Sequence, residues 1–408
     1  MQNLGSVVVV GGGLTGARAV QKLRDEGYSG KLTVVGAEEH LPYERPPLSK
    51  GYLQGADERD SVFVKPKAWY DEQDVELLLG ARAEQLDPAS RRLVLGDGRE
   101  LAWDALLLAT GSRPRMLNLP GTDLDGVLTL RTLDDSDRLK ATLSRIRRLV
   151  IVGGGWIGLE VAAAARAADV AVTVLEHAEL PLLAVLGREV ATVFADLHRA
   201  HDVDLRVGVD VAAIVGRDGA VTGVALGDGE VVPADAVLVA VGASPRTELA
   251  KSAGLEVRSG VVGDAGLRSS APGIFAAGDI AEAYHPILRD HIRVEHWDNA
   301  REQGFAAARS MLGQDVSYER LPYFYTDQYD LGMEYTGYLK PGGYDDVVLR
   351  GDVPGLKFVV LWLAAGRVVA GMGVNVWDAM DPVRELVASG RTVDPGRVRD
   401  VDVALTDL

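Results

Sequence analysis

From Val7 to Val10 the chain runs four valines with no polar residue between them, the pattern of a strand buried on both faces. Gly11, Gly13 and Gly16 follow at once in GxGxxG spacing, and Ala17–Glu26 has the composition of a helix. LTVVGAEE (Leu32–Glu39) supplies the next strand and ends in acidic residues. The same order returns later. LVIVGGGWIG (Leu149–Gly158) carries Gly153, Gly155 and Gly158, leads into the alanine-rich stretch LEVAAAARAA, and is followed by the strand AVTVLEH (Ala171–His177) with Glu176 near its end. Elsewhere short apolar runs alternate with helix-like segments, which predicts an α/β architecture.

A strand running into such a turn has a defined chemistry. The first glycine permits the tight turn, the second lets backbone approach a pyrophosphate, and the third allows close helix–strand packing. The helix N-terminus then offers unpaired N–H groups to the phosphates. Leu14 and Thr15 belong to the first turn, Trp156 and Ile157 to the second. Glu38 is placed to accept hydrogen bonds from a ribose, although Ala37 and Glu39 leave the register open by one. A lone GxGxxG is weak evidence. Two complete strand–turn–helix–strand–acid units predict two dinucleotides bound at once. Glu176 favours a free ribose 2′-hydroxyl, because a 2′-phosphate would meet like charge, and no Arg or Lys lies between it and Leu186. That spacing predicts NADH at the second site. The first is the natural place for FAD.

Composition narrows the chemistry. The 408 residues are enough for two or three domains, and 47% hydrophobic with 25% charged residues is ordinary for a globular enzyme. The longest apolar runs fall short of the roughly 20 residues a membrane span needs, so no membrane association is expected. Met1 leads almost directly into the first strand, so no leader is expected and a cytoplasmic address is the expectation. A net charge of −16 argues against nucleic acid. The seven histidines, the group His285, His291 and His296 included, lack ligand-like spacing, so no metal is expected. Cysteine is absent altogether, which removes disulfides, thiolate metal sites and cysteine nucleophiles.

Further blocks give the chain a family likeness: PYERPPLSK (Pro42–Lys50), LLLATGSRPR (Leu106–Arg115), VLVAVGASPRTELA (Val237–Ala250), IFAAGDIA (Ile274–Ala281), VEHWDNAREQG (Val294–Gly304) and PYFYTDQYDLGMEYTG (Pro322–Gly337). In their order and spacing they resemble the FAD-dependent, NADH-using ferredoxin reductases that feed bacterial oxygenases. That group is related to apoptosis-inducing factor and monodehydroascorbate reductase, and the likeness runs nearly the whole length.

The resemblance implies a glutathione-reductase-like fold with two interleaved Rossmann-like domains and a C-terminal α+β domain. FAD binding is assigned to residues 1–113 and 241–318, NAD binding to 114–240, and the last domain to 319–408. It further implies flavin contacts at Ala109, Thr110 and Gly111, at Gly278 and Asp279, and at Thr15, Ala83, Arg131 and Trp297, with Arg45 facing the cofactor phosphates. Gly242 falls within the VLVAVGASPRTELA block and is assigned to nucleotide contact. Lys50 and Glu160 are implied to meet beside the hydride-accepting nitrogen of the flavin. There an ammonium would stabilise the negative charge arriving with the hydride, and a carboxylate would hold it in place.

With no cysteine, electrons entering from NADH can leave only from the flavin, which converts a hydride pair into the single electrons an iron–sulfur protein accepts. The expected partner is a ferredoxin, of [2Fe–2S] type, with a downstream oxygenase reached only indirectly. Arg289 and Arg293 are candidate docking cations, offsetting repulsion between two acidic proteins. The chain is expected to be a monomer or homodimer. Reduction of a small acceptor (a quinone, ascorbate radical or dioxygen) and an NADH-responsive sensor or interaction role are the alternatives.

Overall fold

The computed structural model describes residues 4–340 and 342–408. The chain divides into two compact units, one of Met1–Glu44, Arg59–Arg113 and Ser244–Pro322, the other of Arg45–Glu58, Pro114–Ala243 and Tyr323–Leu408.

The first unit is built on a parallel five-stranded sheet in the spatial order Ile274–Ala276, Ala105–Leu108, Ser6–Val10, Lys31–Val35, Val75–Leu78. Its valine run is buried on both faces, as the unbroken apolar pattern requires. Val7 and Val9 enter a core with Leu32, Val34 and Leu107, covered by the helices Leu14–Asp25 and Trp297–Met311. Val8 and Val10 enter a second core with Leu106 and Leu108, covered by the small antiparallel sheet Ala83–Asp87, Arg92–Leu95, Glu100–Ala102.

The second unit repeats this plan. Its parallel sheet runs Asp204–Val207, Ala171–Glu176, Arg148–Val152, Ala236–Val239, Val127–Leu128. One face packs on the helices Leu133–Leu143 and Trp156–Ala167, the other on the antiparallel strands Val211–Arg217, Ala220–Leu226 and Val231–Pro233. The unit ends in an antiparallel five-stranded sheet, in the order Tyr323–Gln328, Leu331–Gly337, Arg367–Val374, Lys357–Ala364, Asp346–Asp352, with the helix Met380–Ser389 beside it. Phe358, Val360 and Trp362 of that sheet share one core with Leu159, Val190 and Phe194 of the nucleotide fold.

Element ends near the first turn differ from the sequence reading. The first helix begins at Leu14 rather than Ala17, because Gly13 itself serves as the N-cap. The strand expected over Leu32–Glu39 ends at Val35, and Gly36 leaves the sheet, so Glu38 lies beyond the strand.

Candidate functional site: two nucleotide turns and a buried lysine–glutamate pair

Both glycine turns have the same geometry. Gly11 sits at φ +132° and Gly153 at φ +108°, where L side chains are strained. A Cβ on either would strike a carbonyl, that of Ala109 or that of Ala240. A Cβ on Gly16 would strike the carbonyl of Gly11, and one on Gly158 that of Gly153. The first and third glycines are therefore demanded by the packing of the protein itself. The middle ones are not. Gly13 and Gly155 have extended backbone (φ −98° and −80°), and a Cβ on either would meet nothing within 4 Å. Each is the N-cap of a twelve-residue helix and, as glycine, offers no side-chain acceptor to the first N–H groups. Clear approach to these N–H groups fits a pyrophosphate.

Around the first turn, Leu14 and Thr15 are buried. Glu38 is half-buried and accepts a hydrogen bond from the Tyr43 hydroxyl. Ala109 ends the strand Ala105–Leu108, the Thr110 hydroxyl donates to the Arg246 carbonyl at 2.8 Å, and Gly111 has φ +65° with its carbonyl accepting from Arg246 N–H. Gly278 N–H donates to Gln303 at 2.8 Å, and a Cβ on Gly278 would strike the Thr15 hydroxyl. Asp279 is buried in the short helical turn Gly278–Ile280. Burial pushes the His296 imidazole down to about 4, against the pull of the Asp279 and Asp298 carboxylates. Trp297 Nε1 donates to Glu44 at 3.1 Å, and the Arg301 guanidinium lies 4.6 Å from the Trp297 ring. Ala83 opens its antiparallel strand opposite Leu95. Of the two docking candidates, Arg293 pairs with Glu295 and reaches the Asp279 carbonyl, while Arg289 sits at φ +53° after the strand Ala281–His285.

At the second turn, Trp156 packs its ring edge-on against Phe194 and Phe324, and Ile157 points its side chain outward. Glu176 closes on its own turn: one carboxylate oxygen accepts from Gly154 N–H and the other from Ala178 N–H, both at 2.7 Å. Gly242 is exposed, at φ +101°, with its carbonyl accepting from Arg115 N–H. Arg45 donates to the Arg131 carbonyl, and the backbone N–H of Arg131 is held by Asp135 at 3.0 Å, beside the capping box that starts Leu133–Leu143.

Lys50 and Glu160, 110 residues apart in sequence, form an ion pair. Glu160 is 5% exposed and stands one turn into the helix Trp156–Ala167. It also accepts from the Ser49 hydroxyl and, at 2.6 Å, from the Thr326 hydroxyl. Lys50 Nζ lies 5.8 Å from the centre of the Tyr325 ring. The sequence reading missed Ser49, Tyr325 and Thr326. Ser49 was in view as the neighbour of Lys50, but nothing local ties a hydroxyl on the C-terminal sheet to a carboxylate 166 residues earlier.

The sequence matches the pyridine nucleotide-disulphide oxidoreductase family over residues 5–304 and a reductase C-terminal family over residues 323–408. The chain belongs to the pyridine nucleotide-disulphide oxidoreductase family. It is 39% identical over 408 residues to the ferredoxin–NAD(+) reductase component of the anthranilate 1,2-dioxygenase system of Burkholderia cepacia, covering 98% of each chain. It is 35% identical over 392 residues to a ferredoxin–NAD(P)(+) reductase of a Sphingomonas species, covering 96% of this chain and 94% of that one. Among solved structures it resembles the covalent putidaredoxin reductase–putidaredoxin complex, with a TM-score of 0.94 and 34% identity over 98% of this chain and 97% of that one. Family membership implies FAD and NAD(P)H as cofactors, and the two clear, uncapped turns fit them. Among the described residues no helix is long and apolar enough to cross a membrane.

Proposed function

We propose that this chain takes a hydride from NADH onto bound FAD and passes single electrons to a ferredoxin that serves an oxygenase. The observation that carries the reading is the pair of nucleotide turns whose middle glycines guard open approach to uncapped helices, in a chain without cysteine. The curated relatives named above, ferredoxin reductases by name, support it.

In this reading FAD would be held at the Gly11–Gly16 turn, with Glu38, Ala83, Ala109–Gly111, Asp279 and Trp297 of the same unit as its candidate contacts; Arg45 and Arg131 are candidates by family resemblance alone. NADH binds at the Gly153–Gly158 turn, with Glu176 and Gly242. The assignment of residues 1–113 and 241–318 to FAD, 114–240 to NAD and 319–408 to a C-terminal domain goes with it. Bound FAD supplies the conversion between a hydride pair and single electrons. The residues of the chain do the rest. Backbone N–H groups at the two helix starts hold the phosphates. Lys50 would present a positive charge toward the flavin and favour negative charge there, and Glu160 fixes that ammonium while Ser49 and Thr326 fix Glu160. Glu176 supports NADH over NADPH, since a 2′-phosphate would be brought toward its carboxylate. The ferredoxin is of [2Fe–2S] type, and the setting is cytoplasmic, where NADH is supplied.

Steady-state reduction of cytochrome c by NADH tests this. Addition of a [2Fe–2S] ferredoxin should accelerate it many-fold. Rates indifferent to ferredoxin, with fast reduction of a quinone instead, would overturn the assignment of partner.

A further inference from the structure

The Thr326 hydroxyl that reaches Glu160 is itself the end of a longer chain of hydrogen bonds. Gln328 Nε2 donates to Thr326 Oγ1 at 3.2 Å. Gln328 Oε1 lies 2.8 Å from His198 Nε2, and His198 Nδ1 lies 3.4 Å from the Tyr329 hydroxyl. His198, on the helix Arg188–Ala200, is fully buried, as are Gln328, Thr326 and Glu160. The Tyr329 ring is stacked on His201 at 3.7 Å, which holds its hydroxyl in place.

The direction of every bond follows from its inner end. Paired with Lys50, Glu160 offers only acceptor oxygens, so the single Thr326 proton goes to it. Thr326 Oγ1 must then receive, and Gln328 presents its NH2 group. That leaves Gln328 Oε1 to receive, so His198 Nε2 carries the proton and Nδ1 accepts from Tyr329. All four bonds point toward Glu160, and no member can reverse alone without leaving a buried polar atom unsatisfied.

We propose that Gln328 and His198 are positioning residues for the Lys50–Glu160 pair: the one-way chain locks the Thr326 hydroxyl on Glu160 and thereby fixes where the Lys50 ammonium stands. Burial supports the neutral tautomer this requires, pushing His198 down to about 4. The inference rests on the reading that Lys50 presents its charge toward the flavin. A charge there matters through its placement, and an ångström of drift is worth up to about 100-fold in rate.

The test uses the full-length, FAD-loaded protein. Anaerobic stopped flow gives the rate of flavin reduction at saturating NADH and the NADH dissociation constant, dye equilibration gives the flavin midpoint potential, and thermal melts run alongside. The variants are Glu160→Gln, Gln328→Met, His198→Phe and His198→Gln, the last returning an amide N–H close to the position of Nε2. The expected result is a reduction rate lowered about 10-fold in Gln328→Met and His198→Phe, with a more negative potential and unchanged NADH affinity, and recovery in His198→Gln. If Glu160→Gln alters rate and potential while Gln328→Met and His198→Phe change only the melting temperature, the positioning role is overturned and the reading of the pair stands. If Glu160→Gln leaves rate and potential untouched, the reading itself falls and the inference falls with it. Should His198→Phe fail to fold, Gln328→Met decides the matter.

Discussion

The middle and third glycines of the second turn should fail in opposite ways when replaced by alanine. At Gly155 the backbone is extended (φ −80°, ψ −179°) and a Cβ would find nothing within 4 Å, so Gly155→Ala is compatible with the fold. Reduced freedom of the unfolded chain stabilises such a change by about 0.4–1 kcal/mol. Alanine is a poorer N-cap than glycine by a roughly similar amount, and the two effects nearly cancel. The added methyl does stand where a pyrophosphate must approach the helix start. Crowding a close-packed contact by one methyl costs about 1–3 kcal/mol, or about 5- to 150-fold in affinity. At Gly158 the new methyl would be driven into the carbonyl oxygen of Gly153, with Ile151 Cγ2 at 3.3 Å, so the strand and helix must separate. The assay is NADH titration of the FAD-loaded protein together with thermal melting. Gly155→Ala should keep its flavin spectrum and melting temperature and lose NADH affinity within that range, whereas Gly158→Ala should melt early or fail to accumulate. An unchanged NADH affinity in Gly155→Ala would refute the placement of the pyrophosphate.

Three other outcomes are expected. Glu176→Ala frees the N–H groups of Gly154 and Ala178 and should raise KM for NADH about 10-fold with little effect on kcat, measured by steady-state kinetics. Lys50→Met should slow flavin reduction by about 100-fold or more while FAD content stays whole, read by stopped flow. His198 should make the protein acid-sensitive: its folded pKa is about 4 against an ordinary 6.5, so the unfolded chain binds the extra proton between those values. The stability it lends is complete above pH 6.5 and is lost as pH falls toward 4. That loss is about 3 kcal/mol, and a His198→Gln protein should show a flatter melting profile over the same interval.

The duplicated sheet was legible because its signals are local. An unbroken β-branched run is the pattern of a strand buried on both faces, and glycines in GxGxxG spacing directly after it fit a turn that brings helix against strand; it is the repetition of the whole unit that makes the signal specific. Val7–Val10 and Leu149–Val152 each run into such a turn, and both sheets proved to be parallel with the same order over four strands; the fifth differs, Ile274–Ala276 coming last in its sheet along the chain and Val127–Leu128 first. Element ends were less legible. The pattern gave no reason to stop LTVVGAEE at Val35, because that end is set by the neighbouring strand, whose pairing stops at Leu78 opposite Val35. The pairing of Lys50 with Glu160 came from family resemblance and could not come from spacing. Ser49, Thr326, Gln328 and His198 lay further out of reach. A serine, a threonine, a glutamine and a histidine on three different elements carry no mark of a shared hydrogen-bond chain until the C-terminal sheet packs beside the nucleotide fold.

Sulfur separates this chain from the disulphide chemistry that gives its family a name. An enzyme that relays electrons through a redox-active cysteine pair stores two electrons on its flavin and two more on the disulfide, so full reduction consumes two equivalents of NADH. With no cysteine in its sequence, this chain has no second store. Anaerobic titration of the FAD-loaded protein should therefore reach its endpoint at one NADH per bound FAD, followed by visible absorbance at the flavin band. Further NADH should add only its own absorbance. An endpoint at two equivalents would mean that another group accepts a pair of electrons, and the argument that every electron leaves directly from the flavin would fail.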